Sequence, residues 1–184
     1  MQALILVCGL MGTGKTTFAR RLSRETGFSV LRSDVLRKKL SLMDDATHQY
    51  TDYGAGIYSD EFTKRTYRKL SHEAVEVLKN GDSVIVDAAF SKQWQRHLFM
   101  EAGSDFGARL VMVECVCPDQ VVRERLLARE ADGKDASDGR WAIYPDQKKA
   151  YEPFSHADDA IHLIVETHRE QSAFEVIEKI FALI

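Results

Sequence analysis

The sequence reads Gly9-Leu10-Met11-Gly12-Thr13-Gly14-Lys15-Thr16 directly after its first apolar run. This stretch fits the pattern Gly-x4-Gly-Lys-Ser/Thr, and it stands between a predicted strand at 3–8 and a predicted helix at 15–26, the context that the pattern requires. Its glycines let the backbone approach a phosphate without a Cβ clash. Successive N–H groups at the start of the helix then face the anion. The stretch therefore predicts a phosphate-binding loop, called the P-loop below.

The residue types of the P-loop predict ATP and Mg²⁺ as its ligands. Lys15 is expected to reach the β- and γ-phosphate oxygens and to act in catalysis, while the Thr16 hydroxyl ligates Mg²⁺. Thr17 either contacts the α-phosphate or is an ordinary helix residue. The predicted nucleotide-binding residues are Gly9, Gly12, Thr13, Gly14, Lys15, Thr16 and Thr17.

Apolar runs alternate with helical patterns along the rest of the chain. The predicted strands are 3–8, 28–32, 83–87, 109–116 and 161–166. The predicted helices are 15–26, 34–42, 59–80, 92–103, 118–131, 142–152 and 170–183. Continuous apolar strands are typical of parallel sheets that are covered on both faces. The alternation predicts an α/β fold, and the 184 residues predict one domain spanning 1–184.

Asp87 ends the apolar strand 83–87 in the manner of a Walker B acid, which can hold Mg²⁺ through water or orient the nucleophile. The alternative is that Asp87 caps the helix that begins near Ser91. Because the P-loop is present, Asp87 is predicted to be a metal-binding residue together with Thr16.

Asp34 and Arg37 follow the second strand and are three residues apart, so both can project from one face of the first helical turn. Asp34 is predicted to accept the proton of an attacking hydroxyl or to have a role linked to Mg²⁺, and Arg37 is predicted to bind an anionic group of the acceptor. The alternative is that Ser33 or Asp34 merely caps the helix.

Further arginines are candidates for contacts with phosphate or acceptor. Arg125 and Arg129 are four residues apart on a predicted helix, and they precede a turn-rich segment at 132–139. They are predicted to be catalytic arginines of a lid around 125–141, or else part of a solvated helix face. A second turn-rich segment at 52–56 is also expected to be mobile. Arg96 is predicted to line the acceptor pocket, or else to form a surface salt bridge. Trp94 and Phe99 are expected in the core.

The composition limits the classes of partner. A net charge of −3 does not favour nucleic acid as a partner, although a local basic patch would permit it. The three cysteines are expected to be reduced, which is typical of a cytoplasmic protein. No apolar run reaches the length of about 20 residues that a membrane span needs, so no membrane partner is expected.

These motifs together resemble a known family. The P-loop, Ser-Asp-x-x-Arg at 33–37, Val-Ile-Val-Asp-Ala-Ala-Phe at 84–90 and Arg-Leu-Leu-Ala-Arg at 125–129 resemble P-loop kinases of the zeta-toxin and polynucleotide-kinase-like group. The stretch 135–141, followed by Tyr144 and Gln147, is similar to the AAA-type ATP-binding domain that bacteria fuse to aminoglycoside-phosphotransferase-like domains. Because the chain starts directly at its first strand, we expect that fused domain to be absent from it or removed.

The resemblance implies a P-loop NTPase three-layer α/β/α sandwich with a five-stranded parallel sheet in the order 2-3-1-4-5. It implies an ATP- and Mg²⁺-dependent kinase acting on a hydroxyl of a small molecule, a sugar nucleotide or a nucleic-acid end. Two alternatives stay open: a nucleotide-dependent regulatory ATPase module, and a toxin-like kinase of a toxin–antitoxin pair. A partner domain or protein of the aminoglycoside-phosphotransferase-like type is a further expectation.

Overall fold

A five-stranded parallel sheet is the centre of the structure, a computed structural model that describes residues 1–42, 54, 56–132, 137–154 and 160–184. The strands are β1 (Ala3–Cys8), β2 (Ser29–Arg32), β3 (Val84–Asp87), β4 (Arg109–Val116) and β5 (Ile161–Glu166). Their order across the sheet is β2-β3-β1-β4-β5, and every neighbouring pair is parallel. The predicted sheet and its order are confirmed.

Seven α-helices connect and flank these strands within the described ranges. They are α1 (Lys15–Thr26), α2 (Ser33–Leu40), α3 (Asp60–Lys79), α4 (Gln93–Asp105), α5 (Asp119–Asp132), α6 (Tyr144–Ala150) and α7 (Glu170–Leu183). Short 3₁₀ helices lie at Gly56–Tyr58 and Trp141–Ile143. The helix predicted at 142–152 is shorter than expected, because Tyr151 is extended and the Glu152 N–H bonds to the Ser91 carbonyl at 2.8 Å.

The sheet is covered on both faces, and all six residues of β1 are buried completely. Alternate strand residues point to opposite faces, so one apolar cluster packs against α1 and α7, and a second packs against α2, α3 and α4. A third, smaller cluster joins the P-loop residue Met11 to α5 and α6. The three-layer α/β/α arrangement follows directly from the continuous apolar character of the strands.

The carboxyl ends of β1, β2 and β3 lie side by side at one edge of the sheet. In the strand register, Asp87 lies opposite both Val7 of β1 and Arg32 of β2. The P-loop leaves β1 immediately beyond this point, and α2 begins directly after β2. Ligands of open α/β sheets bind in the crevice outside these strand ends. The topology thus brings the P-loop, Asp87 and the start of α2 together.

The two turn-rich segments are described only in part. Residues 52, 53 and 55 of the first, and 133–136 of the second, lie outside the described residues. Cys8, Cys115 and Cys117 are all free thiols, as expected. In the portion of the chain that the structure describes, no helix has both the length and the apolar character to cross a membrane.

Candidate active site

The P-loop adopts a backbone that only glycine tolerates at its key positions. Gly14 precedes α1 in the left-handed region with φ of 89°, and Gly9 has φ of 133°. A Cβ on Gly9 would lie 2.5 Å from the Cys115 carbonyl oxygen, and one on Gly12 would lie 2.9 Å from a methyl carbon of Val122. The loop is therefore packed directly against β4 and α5. Any side chain at these positions would displace the phosphate-binding backbone.

The polar side chains of the loop contact its own backbone. The Lys15 ammonium donates to the Leu10 carbonyl at 2.7 Å, and the Thr13 hydroxyl donates to the same carbonyl at 2.8 Å. Lys15 also lines the cavity described below. Thr13 is buried at 4% exposure, whereas Thr17 is exposed and lines the cavity described below. Thr13 thus stabilises the loop, and Thr17 is accessible to a ligand.

Thr16 and Asp87 form the expected pair at the strand ends. The Thr16 hydroxyl donates to Oδ2 of Asp87 at 2.6 Å, and the Arg32 Nε lies 3.4 Å from the same oxygen. Burial raises the pKa of the Asp87 carboxyl, and the Lys15 ammonium and the Thr16 hydrogen bond oppose that rise. A buried carboxylate beside a hydroxyl is an all-oxygen donor set, which fits Mg²⁺.

Asp34 and Arg37 lie in the same cavity as the P-loop, a space of about 940 Å³. The N-cap of α2 is Arg32, and no side chain forms a capping hydrogen bond there. The capping alternative for Ser33 and Asp34 is therefore wrong. Asp34 occupies the first turn, where its charge also suits the helix dipole.

Arg37 is held rigidly at the wall of this cavity. Its guanidinium donates to the Ile57 carbonyl and, at 3.2 Å, to the Thr63 hydroxyl, and it lies 4.7 Å from the centroid of the Tyr58 ring. The residue is 5% exposed, and its Nε has no hydrogen-bond partner among the described residues. A buried donor without a partner is costly unless a ligand satisfies it. Arg37 thus combines a buried guanidinium with a position on the cavity wall.

Aromatic side chains form much of the wall beyond Arg37. Tyr58, Tyr67 and Trp94 line the cavity, and the rings of Tyr67 and Trp94 meet edge to face at 5.6 Å. Trp94 is 38% exposed, so its assignment to the core is wrong, whereas Phe99 is completely buried as expected. The helical pattern of α4 did not distinguish the face toward the cavity from the face toward the core.

Arg125 and Arg129 both line the cavity on its P-loop side. Arg125 donates to the hydroxyl and the carbonyl of Thr167, each at 2.9 Å. Arg129 donates to the Gly139 carbonyl. The alternative, that Arg125 and Arg129 belong to a solvated helix face, is wrong because hydrogen bonds hold both side chains at the cavity. Their proposed action on the transferred phosphate is taken up below.

Two residues from distant parts of the chain hold the P-loop. Oε1 of Gln147 accepts from the Met11 N–H at 2.7 Å, and the Thr167 hydroxyl donates to the Thr13 carbonyl at 2.5 Å. No sequence pattern near the P-loop indicates either contact. In the sequence, Gln147 was singled out only by the family resemblance of the segment around 135–147. Thr167 was not singled out by any pattern.

Arg96 does not line the cavity and is not the acceptor-binding residue that was predicted. It is 1% exposed, and its guanidinium donates to the carbonyls of Phe90, Glu152 and Pro153 at 3.0, 3.0 and 3.1 Å. It also lies 4.6 Å from the centroid of the Phe154 ring. The surface salt-bridge alternative is equally wrong. Arg96 instead fastens the 152–154 segment to α4.

Replacing Arg96 with alanine is expected to lower the free energy of unfolding by about 1–3 kcal/mol, since the carbonyl of the fully buried Phe90 loses its donor and an unsatisfied buried acceptor costs about that much. Chemical denaturation of Arg96→Ala measures this loss. The exposed Arg24 provides the control, because Arg24→Ala should change stability by less than about 0.5 kcal/mol. Unchanged stability of Arg96→Ala would contradict the structural role.

Comparison with known sequences places most of the chain in one family. Residues 4–154 match the model of the AAA domain family AAA_33. An uncharacterized protein of Mycobacterium tuberculosis (strain H37Rv) is 28% identical over 134 residues, which make up 73% of this chain and 27% of the relative. An uncharacterized protein of Mycobacterium bovis matches to the same extent. The chain thus spans about a quarter of the length of the curated relatives it matches.

Solved structures show the same fold at low sequence identity. A sugar kinase of Janibacter sp. HTCC2649 has a TM-score of 0.73 and 18% identity, covering 100% of this chain and 94% of that one. Kti12 of Chaetomium thermophilum, solved with ADP-AlF3, has a TM-score of 0.69 and 19% identity, covering 98% of both chains. The APS kinase CysC of M. tuberculosis, solved with AMPPNP and APS, has a TM-score of 0.63 and 23% identity, covering 99% of this chain and 96% of that one.

The P-loop, the sheet order and the family match agree on one assignment. The residues matched by the family model include the phosphate-binding loop after β1, the Thr16–Asp87 pair and the helices that carry the cavity arginines. The chain belongs to the AAA domain family, and its fold is that of the P-loop kinases.

Proposed function

We propose that the chain is an ATP- and Mg²⁺-dependent phosphotransferase that transfers the γ-phosphoryl group to a hydroxyl of a small molecule, a sugar nucleotide or a nucleic-acid end. The observation that carries this proposal is that a single cavity holds the P-loop, the Thr16–Asp87 pair, and Asp34 with Arg37. A nucleotide site alone would not need a carboxylate and a buried arginine beyond the phosphates. Two of the three similar structures above are a sugar kinase and an APS kinase, which agrees with this proposal.

The roles follow from position and chemistry. The P-loop N–H groups and Lys15 bind the β- and γ-phosphates, and Thr16 with Asp87 would hold Mg²⁺. The metal ion, when bound, neutralises negative charge on the phosphate oxygens. Asp34 orients the acceptor hydroxyl and accepts its proton, while Arg37 binds an anionic or polar group of the acceptor.

Arg125 and Arg129 are proposed to stabilise charge on the transferred group from the other side of the cavity. Both side chains reach the cavity from α5, one turn apart, and each is held by a backbone carbonyl. Positioned guanidinium groups of this kind stabilise phosphoryl transfer without having to reorganise during the reaction.

Replacing Thr16 with alanine is expected to raise the Mg²⁺ concentration for half-maximal turnover by about tenfold, the lower range for the loss of one residue that supports a metal site. The variant loses the hydroxyl that contacts Asp87 at 2.6 Å. A Mg²⁺ titration of ATP turnover measures the shift. Thr26→Ala, at the far end of α1, is the matched control and should leave the titration unchanged. Turnover that persists in EDTA would contradict the metal roles of Thr16 and Asp87.

A regulatory ATPase module is the second candidate, favoured by one observation. The curated relatives are much longer than this chain, so nucleotide binding could serve a domain outside it. The aminoglycoside-phosphotransferase-like partner stays a prediction, which the comparisons do not test.

A transfer screen separates the two functions. The chain is incubated with γ-labelled ATP and Mg²⁺ in pools of metabolites and oligonucleotides, and acceptor-free hydrolysis is measured in parallel. The kinase proposal expects label to appear on one pool component at a rate above hydrolysis. Label released only as inorganic phosphate, at the same rate in every pool, would support the regulatory module instead.

A further inference from the structure

Residues 137–140, here called the strap, run between α5 and the Trp141–Ile143 turn. Ser137, Asp138 and Gly139 all line the cavity that contains the P-loop. Asp138 is only 4% exposed although it carries a carboxylate. Burying a charged group costs free energy unless it is paired and hydrogen-bonded, so Asp138 is expected to have such partners.

The Asp138 carboxylate contacts the part of the cavity wall that holds Arg37 and Tyr58, here called the acceptor half. Its Oδ2 accepts from the Tyr58 hydroxyl at 2.9 Å, and its Oδ1 lies 3.5 Å from the ammonium of Lys38 in α2. The side chains of Lys38 and Asp138 are 1% and 2% exposed, respectively. Losing one partner of such a pair would leave a buried charge uncompensated, so the pair favours this placement of Asp138.

Tyr58 connects Asp138 to the acceptor-binding arginine. Its ring lies under the Arg37 guanidinium at 4.7 Å, and Arg37 also donates to the carbonyl of the preceding Ile57. Burial, Asp34 and Asp138 raise the pKa of Tyr58, so its hydroxyl stays protonated and donates. A shift of Asp138 would therefore move Tyr58 and, with it, the surface against which Arg37 packs.

Gly139, the next residue of the strap, contacts the part of the cavity wall formed by the P-loop and Arg129, here called the nucleotide half. The Gly139 carbonyl accepts a hydrogen bond from Arg129. A Cβ on Gly139 would lie 2.7 Å from Arg129 Nη2 and 2.9 Å from Cβ of Met11 in the P-loop. Two consecutive strap residues thus contact opposite halves of one cavity, and a rigid peptide unit joins their positions.

We propose that Asp138 is a positioning residue that couples the acceptor half of the cavity, through Tyr58, to the nucleotide half, through Gly139 and Arg129. The Tyr58–Asp138 hydrogen bond holds the strap at the depth where Arg129 can reach a bound nucleotide. This inference rests on the proposed function in one respect, because Arg129 must contact the nucleotide.

A double-mutant cycle tests the coupling. The affinity for Mg²⁺–AMPPNP is measured by calorimetry on the wild type, Tyr58→Phe, Arg129→Ala and the double variant. Tyr58→Phe removes a single hydroxyl and leaves the Lys38–Asp138 pair in place, so the fold is retained and a thermal melt checks it. Tyr58→Phe is expected to weaken binding about 3–10-fold, within the range of coupling between groups of one network. In the Arg129→Ala background the same change should have an effect of less than about twofold.

The matched control is Tyr151→Phe. The Tyr151 hydroxyl donates to Glu114 Oε1 at 2.7 Å, a tyrosine–carboxylate hydrogen bond made by a residue that does not line the cavity. This variant should bind AMPPNP as the wild type does. Equal weakening by Tyr58→Phe in both backgrounds, or none in either, overturns the coupling while nucleotide binding stands. Failure of the wild type to bind Mg²⁺–AMPPNP overturns the proposed function as well as the coupling.

Discussion

Replacing Lys15 with alanine is expected to reduce ATP turnover by at least about 10²–10³-fold, the usual cost of removing one preorganised charge-stabilising donor. ATP binding should weaken as well, because the ammonium meets the phosphates in the ground state too. The fold should survive, since the variant loses a single hydrogen bond, to the Leu10 carbonyl, worth about 0.5–1.5 kcal/mol. Turnover, calorimetric ATP affinity and a thermal melt are measured on the same preparation.

Lys79→Ala is the control for this experiment. Lys79 ends α3 and pairs with Glu76 at 2.7 Å, with about half of its side chain exposed. Its loss removes the same charge from a surface site, so turnover should stay at the wild-type level. Normal turnover by Lys15→Ala would remove the P-loop from the mechanism, and with it the central element of the proposed function.

Replacing Asp34 with asparagine is expected to slow phosphoryl transfer by about 10²–10⁴-fold while ATP affinity stays nearly unchanged, because a general base contributes about that much. The amide keeps the size of the carboxylate and loses its charge and basicity. Since Arg32 is the N-cap of α2 and no side chain caps the helix, the cost in stability should be limited to a few tenths of a kcal/mol from the helix dipole.

Arg37→Ala distinguishes binding of the acceptor from chemistry. Its guanidinium borders the part of the cavity where the acceptor is proposed to bind, so its loss should raise the KM of the acceptor more than that of ATP. Transfer rates and both KM values are measured with the acceptor that the transfer screen identifies. Near wild-type transfer by Asp34→Asn would mean that Asp34 is not the base, and only the nucleotide site would be left of the assignment.

The sequence alone predicted the alternating strands and helices and the phosphate-binding loop. The apolar runs that became β1, β4 and β5 were located to the residue, because strands buried on both faces must be apolar throughout. The P-loop could also be predicted from the sequence, because its backbone conformation requires glycines at fixed spacing. The sheet order came from resemblance to a family, and the structure confirms it.

Only the tertiary structure decided which polar side chains face the cavity. Arg96 and Arg37 look alike in sequence, each an arginine in a helix after a strand, yet Arg96 binds three backbone carbonyls and Arg37 borders the cavity. The contact of Tyr58 with Asp138 joins residues 80 positions apart and had no local signal. Local patterns report which face of an element is apolar, whereas the partner of a buried polar group depends on how distant elements pack.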